Sequence, residues 1–558
     1  MLRFAPTLTL LILLGPIGAG LLWTLLPAFG YLPVLGTRDF SLDPWRELFA
    51  YAGFRSALWL TLFVGFGASI VSLILAIALC ATSVGTRAFE ILRAALPPLL
   101  ATPHVAIAIG FAFLVAPSGL IVRGFSPWAT GWERPPGIAT VNDAYGLSLI
   151  AGLVLKETVY LILMIIAAST QVALRPMLQA ASALGYGSAR GFVAVIMPQI
   201  YRQIRLPIYA VLAFSLANVE MALILGPGNP PPLSVVAARW FAGYDLGMYY
   251  PASAAATLQF AIVVAGIGLW RLMEVPVGAI HRAWLARGVR RGAGEPLWGS
   301  AALIGWTGGV LALATLLTVA AWSFAHRWRY PDFLPQSWSL RVWEQHAGNV
   351  AALAGVTAVI AAAATLVALV LALACLENEQ RRGLTVGQGA LWALYLPLLV
   401  PQTAFLPGLQ TFLLGLGADR GVASVILAHL VFVLPYVFLS LADPWRAWDS
   451  RQATIAATLG AGPGAVFWRI RLPMLLAPVL TAAAVGLAVS VGQYLPTLLI
   501  GGGRVATLTT EAVALASGGD RRAIGVYALA QSAAALLPFA LALALPALVW
   551  RNRRGLHG

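Results

Sequence analysis

Lysine is almost missing. Lys156 is the single example in 558 residues, so the other 34 of the 35 basic side chains are arginine. A phosphate-binding P-loop needs Gly-Lys-Ser/Thr. Lys156 is followed by Glu157 inside an apolar run, so the chain has no Walker-type nucleotide site of its own. Charge of either sign is scarce too, at 10% of residues against about 25% in soluble globular domains. Most of the surface therefore does not face water. The two cysteines, Cys80 and Cys375, each sit near the end of an apolar run and read as buried small hydrophobes, not as a disulfide framework or a metal site. No group of His, Cys, Asp and Glu has metal-ligand spacing, and no catalytic constellation is visible, which argues against an enzyme. The net charge of +15 sits in short loops between apolar runs, as in a membrane protein, and does not form a nucleic-acid-binding patch.

What the chain has is apolar length. Hydrophobic residues make up 60% of it, and runs of about 18 or more apolar residues recur throughout, the length of a transmembrane helix. The expected fold class is an all-α polytopic membrane protein with about twelve spans. The first half gives roughly 7–29, 56–83, 95–117, 146–172, 204–226 and 253–273; the second gives roughly 300–324, 350–376, 388–416, 421–442, 475–500 and 524–550. The run Leu8–Phe29 follows Arg3, has the length of a full crossing and lacks an Ala-x-Ala site, so it reads as a retained first helix. With the N-terminus inside, 21 arginines fall on the cytoplasmic side and 13 outside. Both termini are then expected to be cytoplasmic, in agreement with Arg551, Arg553 and Arg554.

Two stretches repeat. Gln179-Ala180-Ala181-Ser182-Ala183-Leu184-Gly185 runs on to Met197-Pro198, and Thr454-Ile455-Ala456-Ala457-Thr458-Leu459-Gly460 runs on to Leu472-Pro473. Both the glycines and the prolines are 275 apart (460 − 185 and 473 − 198). Pro103 and Gly110 match Pro401 and Gly408 at an offset of 298, while Tyr160 matches Tyr436 at 276, so the first half carries an insertion around 125–145. The halves are expected as parallel repeats, 1–280 (core about 56–273) and 300–558 (core about 350–550), joined by a basic linker 281–299 with Arg282, Arg287, Arg290 and Arg291. Each repeated stretch reads as a helix ended or bent by Gly185 with Gly187, or by Gly460, Gly462, Pro463 and Gly464. A second short helix from about Ala189 to Ile196 and a proline entry into the next span follow.

These stretches resemble the cytoplasmic signature of permease subunits of binding-protein-dependent ABC importers: Glu-Ala-Ala, three residues, Gly, nine residues, Ile-x-Leu-Pro. Gln179, Ala180, Ala181, Gly185, Val195, Met197 and Pro198 occupy those positions, as do Thr454, Ile455, Ala456, Gly460, Ile470, Leu472 and Pro473. The acidic first residue is replaced in both copies. The resemblance implies that Gly187–Phe192, with Arg190, and Gly462–Phe467, with Gly464, carry coupling helices. These would dock on an ATP-binding-cassette ATPase dimer that holds the ATP and Mg, leaving no cofactor on this chain. It also implies a bacterial inner-membrane location, the lipid bilayer as surroundings and an extracytoplasmic solute-binding protein as second partner. The fused twelve-span form is similar to iron(III)- and thiamine-type permeases.

Ionisable groups in mid-span are expensive. Lys156, Glu157 and Glu220 read either as structural pairs or as groups lining a translocation path. Asn218 matches Gln493 at offset 275, and His104 matches Gln402 at 298, with the same two readings. A twelve-span secondary transporter using a proton gradient through Glu157 or Glu220 is the competing reading, and a membrane-embedded enzyme lacks any motif. The aromatic and proline-rich stretches 128–136, 227–232 and 326–338 read as interfacial anchors or as a docking surface for an external partner.

Overall fold

In a computed structural model, residues 2–288, 290, 294–384 and 387–549 are described; Arg291, Arg551, Arg553 and Arg554 lie outside them. Nine described helices are long and apolar enough to cross a membrane, and eleven spans result when two bent pairs are each counted once. The twelfth expected span, near 204–226, is the exception. It forms a helix over Met197–Ala217 and resumes as Glu220–Leu225 after a break at Asn218 and Val219. Its first turns are polar, with Gln199, Arg202, Gln203 and Arg205, and the break cuts off Glu220–Leu225, so neither piece is a plain apolar span. The described residues are otherwise helices and their connections, apart from an isolated bridge between Leu32 and Thr37 and a two-stranded ribbon that pairs Ala325–Arg327 with Ser337–Trp338 and closes the aromatic loop at 326–338.

The third span of each half is broken at its proline. Helices Arg87–Ala101 and His104–Val115 meet at Pro103; Gln388–Leu399 and Gln402–Gly415 meet at Pro401, where the axis turns by 89°. Both prolines are extended, with ψ of 149° and 133°. A proline has no N–H to give, and its ring pushes the residue before it out of the helical region. The fifth span of the second half is likewise irregular. Leu476–Val491 ends before Gln493, and a π turn over Pro496–Ile500 follows.

The matched glycines Gly110 and Gly408 are where the halves grip each other. The first helix, Ala5–Ala28, packs along Gln402–Gly415 of the other half, and Gly294–Phe324 packs along His104–Val115. A Cβ on Gly408 would collide with the Gly20 carbonyl and with Thr24, and one on Gly110 with the Thr315 carbonyl. The Gly408 N–H also donates to Thr24 Oγ1 at 3.1 Å. With no water expelled when helices associate in lipid, such close backbone approach supplies the packing. Each half thus lends its opening helix to the other. The largest buried cluster straddles the junction, with Met221 and Leu225 from one half and Phe405, Leu406 and Tyr494 from the other.

Candidate functional site

The two repeated stretches fold to the same backbone. Helices Leu174–Ala183 and Arg451–Thr458 each end on a left-handed glycine, Gly185 at φ +87° and Gly460 at φ +83°. In the first, the Tyr186 N–H reaches the Ala181 carbonyl (3.1 Å) and the Gly185 N–H that of Ser182 (2.9 Å). In the second, Ala461 reaches Ala456 (2.9 Å) and Gly460 reaches Ala457 (3.0 Å). This is the Schellman closure, which satisfies the orphan carbonyls of a helix end and needs a residue without Cβ strain at the corner. Gly187 and Gly462 then open the next short helix with φ −68° in both and ψ of 164° and 163°. They are therefore start residues, and the bend belongs to Gly185 and Gly460. Ala181 and Ala456 are buried, while Gln179, Ala180 and Thr454 face outward.

The expected short helix from Ala189 to Ile196 is in fact two pieces. A single α turn, Ser188–Gly191, leads into a π turn over Phe192–Ile196; the second loop has Pro463–Val466 and then Phe467–Arg471. The Met197 and Leu472 N–H groups reach back five residues to Phe192 and Phe467. Pro198 and Pro473 come next and donate nothing, so the widened turn absorbs a helix that would otherwise clash there.

Two carboxylates, Glu377 buried and Glu274 half-buried, brace these regions against the spans, and sequence reasoning missed both. Glu274, in helix Tyr249–Ala286, accepts from Tyr201 (3.0 Å) and Tyr209 (2.9 Å) and pairs with Arg205 at 3.1 Å. Glu377, near the end of helix Arg341–Arg382, pairs with Arg381 at 2.6 Å and with Arg471, whose guanidinium lies 4.3 Å from the Trp448 ring. Arg381 also donates to the Pro463 carbonyl at 3.3 Å. The available signal was an acidic residue ending an apolar span on the side rich in arginine. It does not say which arginine it meets.

The mid-span groups separate by role. Lys156 donates to the Leu99, Leu100 and Thr102 carbonyls at 3.0, 2.8 and 2.6 Å. It thereby closes the end of helix Arg87–Ala101 at the proline break. Glu157, its sequence neighbour, instead faces His104 Nε2 at 3.4 Å. The matched tyrosines Tyr160 and Tyr436 are within electrostatic reach of Glu157, and Tyr395 is within reach of both, so groups from the two halves converge there. Asn218 Oδ1 accepts the Met221 and Ala222 N–H groups at 3.0 and 3.3 Å, restarting the helix after its break. Gln493 sits at the corresponding break, its carbonyl accepting from Thr497 Oγ1 at 3.0 Å. Beside it His429, also missed from sequence, bonds Ser490 (2.8 Å) and Thr497 (2.9 Å). Glu220 is buried near Tyr494. Gln402 is the first residue of its helix, as His104 is of its own. The structure gathers Glu157 with His104 and leaves Gln402, Gln493, Asn218 and Glu220 outside that pair.

Over 523 residues, 93% of each chain, the protein is 32% identical to the inner membrane ABC transporter permease protein YnjC of Escherichia coli (strain K12). The chain belongs to the ABC transporter permeases. Shorter similarities agree. The molybdenum transport system permease protein ModB of Mycobacterium tuberculosis (strain ATCC 25618 / H37Rv) is 38% identical over 90 residues, 16% of this chain and 34% of that one. The putrescine transport system permease protein PotI of Escherichia coli (strain K12) is 28% identical over 161 residues, 27% and 56% respectively. No family model matches the sequence. Membership makes this permease a multi-pass inner-membrane protein and a transport subunit, and it removes the basis for the proton-driven secondary transporter.

Proposed function

We propose that this permease is the transmembrane subunit of a binding-protein-dependent importer, with ATP and Mg held by a separate ATPase dimer. The observation that carries the reading is the pair of loops 185–198 and 460–473. They agree in corner glycine, start residue, π turn and proline, giving a two-fold partner two equivalent backbone shapes. On this reading the arginine-rich side is cytoplasmic, both termini lie there, and Gly187–Phe192 and Gly462–Phe467 receive the ATPase subunits. An extracytoplasmic binding protein delivers a small solute to the opposite face.

The path runs where the halves meet, past Glu157 and His104. Lys156 is held by three carbonyls, so the charge offered to a passing solute is carboxylate. A cationic solute suits that better than an oxyanion, and iron(III) and thiamine, the cargo of similar fused permeases, both qualify. The test is uptake into vesicles holding the permease, its ATPase and its binding protein. Uptake should need internal ATP and fall strongly in Glu157→Gln. Uptake driven by a proton gradient with the ATPase omitted would sink the importer reading.

A further inference from the structure

The two loops share a backbone but not an environment. On the first, Arg290, Gly294 and Glu295 of the linker lie over the corner. Glu295 Oε1 accepts the Arg190 N–H at 3.0 Å, and a Cβ on Gly187 would collide with the same carboxylate. Gly294 lies against the Arg190 guanidinium, where a Cβ would be 3.0 Å from Nη2, and the Trp284 ring is 5.5 Å from that guanidinium. Arg290 reaches Gly185, its Cδ 3.7 Å from where a Cβ would be. On the second loop, a Cβ built on Gly460, Gly462 or Gly464 meets none of the described residues within 4 Å.

The side chains differ in step with the cover. At positions 275 apart, Ile455 stands for Ala180 and Trp468 for Val193 (455 − 180; 468 − 193). Ile455 is 60% exposed and Trp468 67%; Leu184 and Leu459, matched to each other, are also exposed. At the first two pairs the second loop carries the larger apolar side chain, although at the corner Ala461 stands for Tyr186. Exposed tryptophan beside aliphatic residues is the composition of an interface anchor.

We propose that the linker is a working part of the first ATPase dock, so the two docks differ in chemistry. The first offers Leu184 beside the linker's Glu295 and Arg290; the second offers the exposed apolar trio Ile455, Leu459 and Trp468. This rests on the ATPase-docking reading above. An ATPase of two identical subunits then meets two unlike surfaces, and damage to either surface weakens one contact and spares the other.

The test uses the full chain co-expressed with its ATPase subunit, with one added cysteine at Leu184→Cys or Leu459→Cys labelled with a benzophenone maleimide, which on illumination inserts into a neighbouring C–H bond of the ATPase; Cys80 and Cys375 are buried and stay silent. Glu295→Ala should lower the cross-link at position 184 roughly tenfold, the effect of losing one charge-assisted hydrogen bond, and leave that at 459 unchanged. Trp468→Ala should do the reverse. A second comparison reads the linker without the ATPase. Gly187→Ala and Gly462→Ala make the same change at the same φ of −68°, but only the first meets Glu295. Trypsin should cut after Arg290 faster in Gly187→Ala than in the unaltered chain, and at an unchanged rate in Gly462→Ala. Equal cross-linking losses at both loops would overturn the inequality. Unchanged cleavage in both glycine variants would overturn the linker contact itself. Absence of any cross-link from either loop would instead defeat the ATPase-docking reading.

Discussion

Lys156 illustrates how far a single residue can be read. Its cost at mid-span was evident from sequence, but its neighbour Glu157 looked like a natural partner. Residues i and i+1 on a helix do not face each other, and the two side chains separate: lysine to the end of helix Arg87–Ala101, glutamate to His104. A helix end leaves carbonyls unsatisfied and carries partial negative charge, which an ammonium answers. Lys156→Met should therefore destabilise the purified permease by about 3 kcal/mol, seen as a lowered midpoint of thermal unfolding, while the folded fraction still transports. Unchanged stability with abolished uptake would place Lys156 in the path instead. The corner glycines were legible for a different reason: the αL requirement is local, so spacing alone marks it. Gly185→Ala and Gly460→Ala should each cost about 1 kcal/mol through backbone strain. A bulky charged residue such as Arg at either position should in addition uncouple ATP hydrolysis from uptake, measured as ATPase turnover per solute transported. Normal coupling in both Gly185→Arg and Gly460→Arg would contradict the docking role.

At the scale of elements, each repeated loop, or the helix that leaves it, is braced by a carboxylate on a helix remote in sequence. Glu377 is the tighter case because Arg471 is as buried as its partner, with both side chains 6% exposed. Removing one member of such a pair strands the other, at a cost of roughly 3–5 kcal/mol. Glu377→Ala is thus expected to lower stability by that order and to loosen the second loop, visible as faster hydrogen exchange over 463–474. Glu274 holds the helix that leaves the first loop through two tyrosines and the partly exposed Arg205, so Glu274→Ala should be the milder change in the same measurement. Equal losses would show that burial of the arginine does not decide the outcome. These anchors could not be foreseen because the pairing depends on how helices pack, which amphipathic period and composition leave open. The same limit hid the linker's seat on the first loop. Its basic character was plain from Arg282, Arg287 and Arg290, whereas the contact is made by Glu295. The π turns escaped for a local reason: a four-residue α turn followed by a proline reads as one short helix unless the missing N–H is followed back to its carbonyl.

For the molecule as a whole, sequence revealed a polytopic helical chain and the two loop sites, since these rest on run length and glycine placement, whereas the expected count of twelve spans stands against eleven among the described residues, the one near 204–226 being broken. It could not reveal that the opening helices are exchanged. The matched pair Gly110 and Gly408 marked the repeat, but only packing shows that each receives a helix from the opposite half. If the halves rock to alternate access, each opening helix must move with the half it packs on or slide along it. Close backbone contact at Gly20 and Gly408 leaves no room for sliding, so Ala5–Ala28 should travel with the second half. Thr9 provides a direct check, because its Oγ1 lies 3.2 Å from Cys375 Sγ in helix Arg341–Arg382. Thr9→Cys should bridge to Cys375 on mild oxidation, locking the first helix to the second half. The bridged permease is expected to keep ATP-driven uptake at the rate of its reduced form. A loss restored by reductant would mean that this helix moves against Arg341–Arg382 during each cycle, and that the exchanged helices act as sliding contacts between the halves.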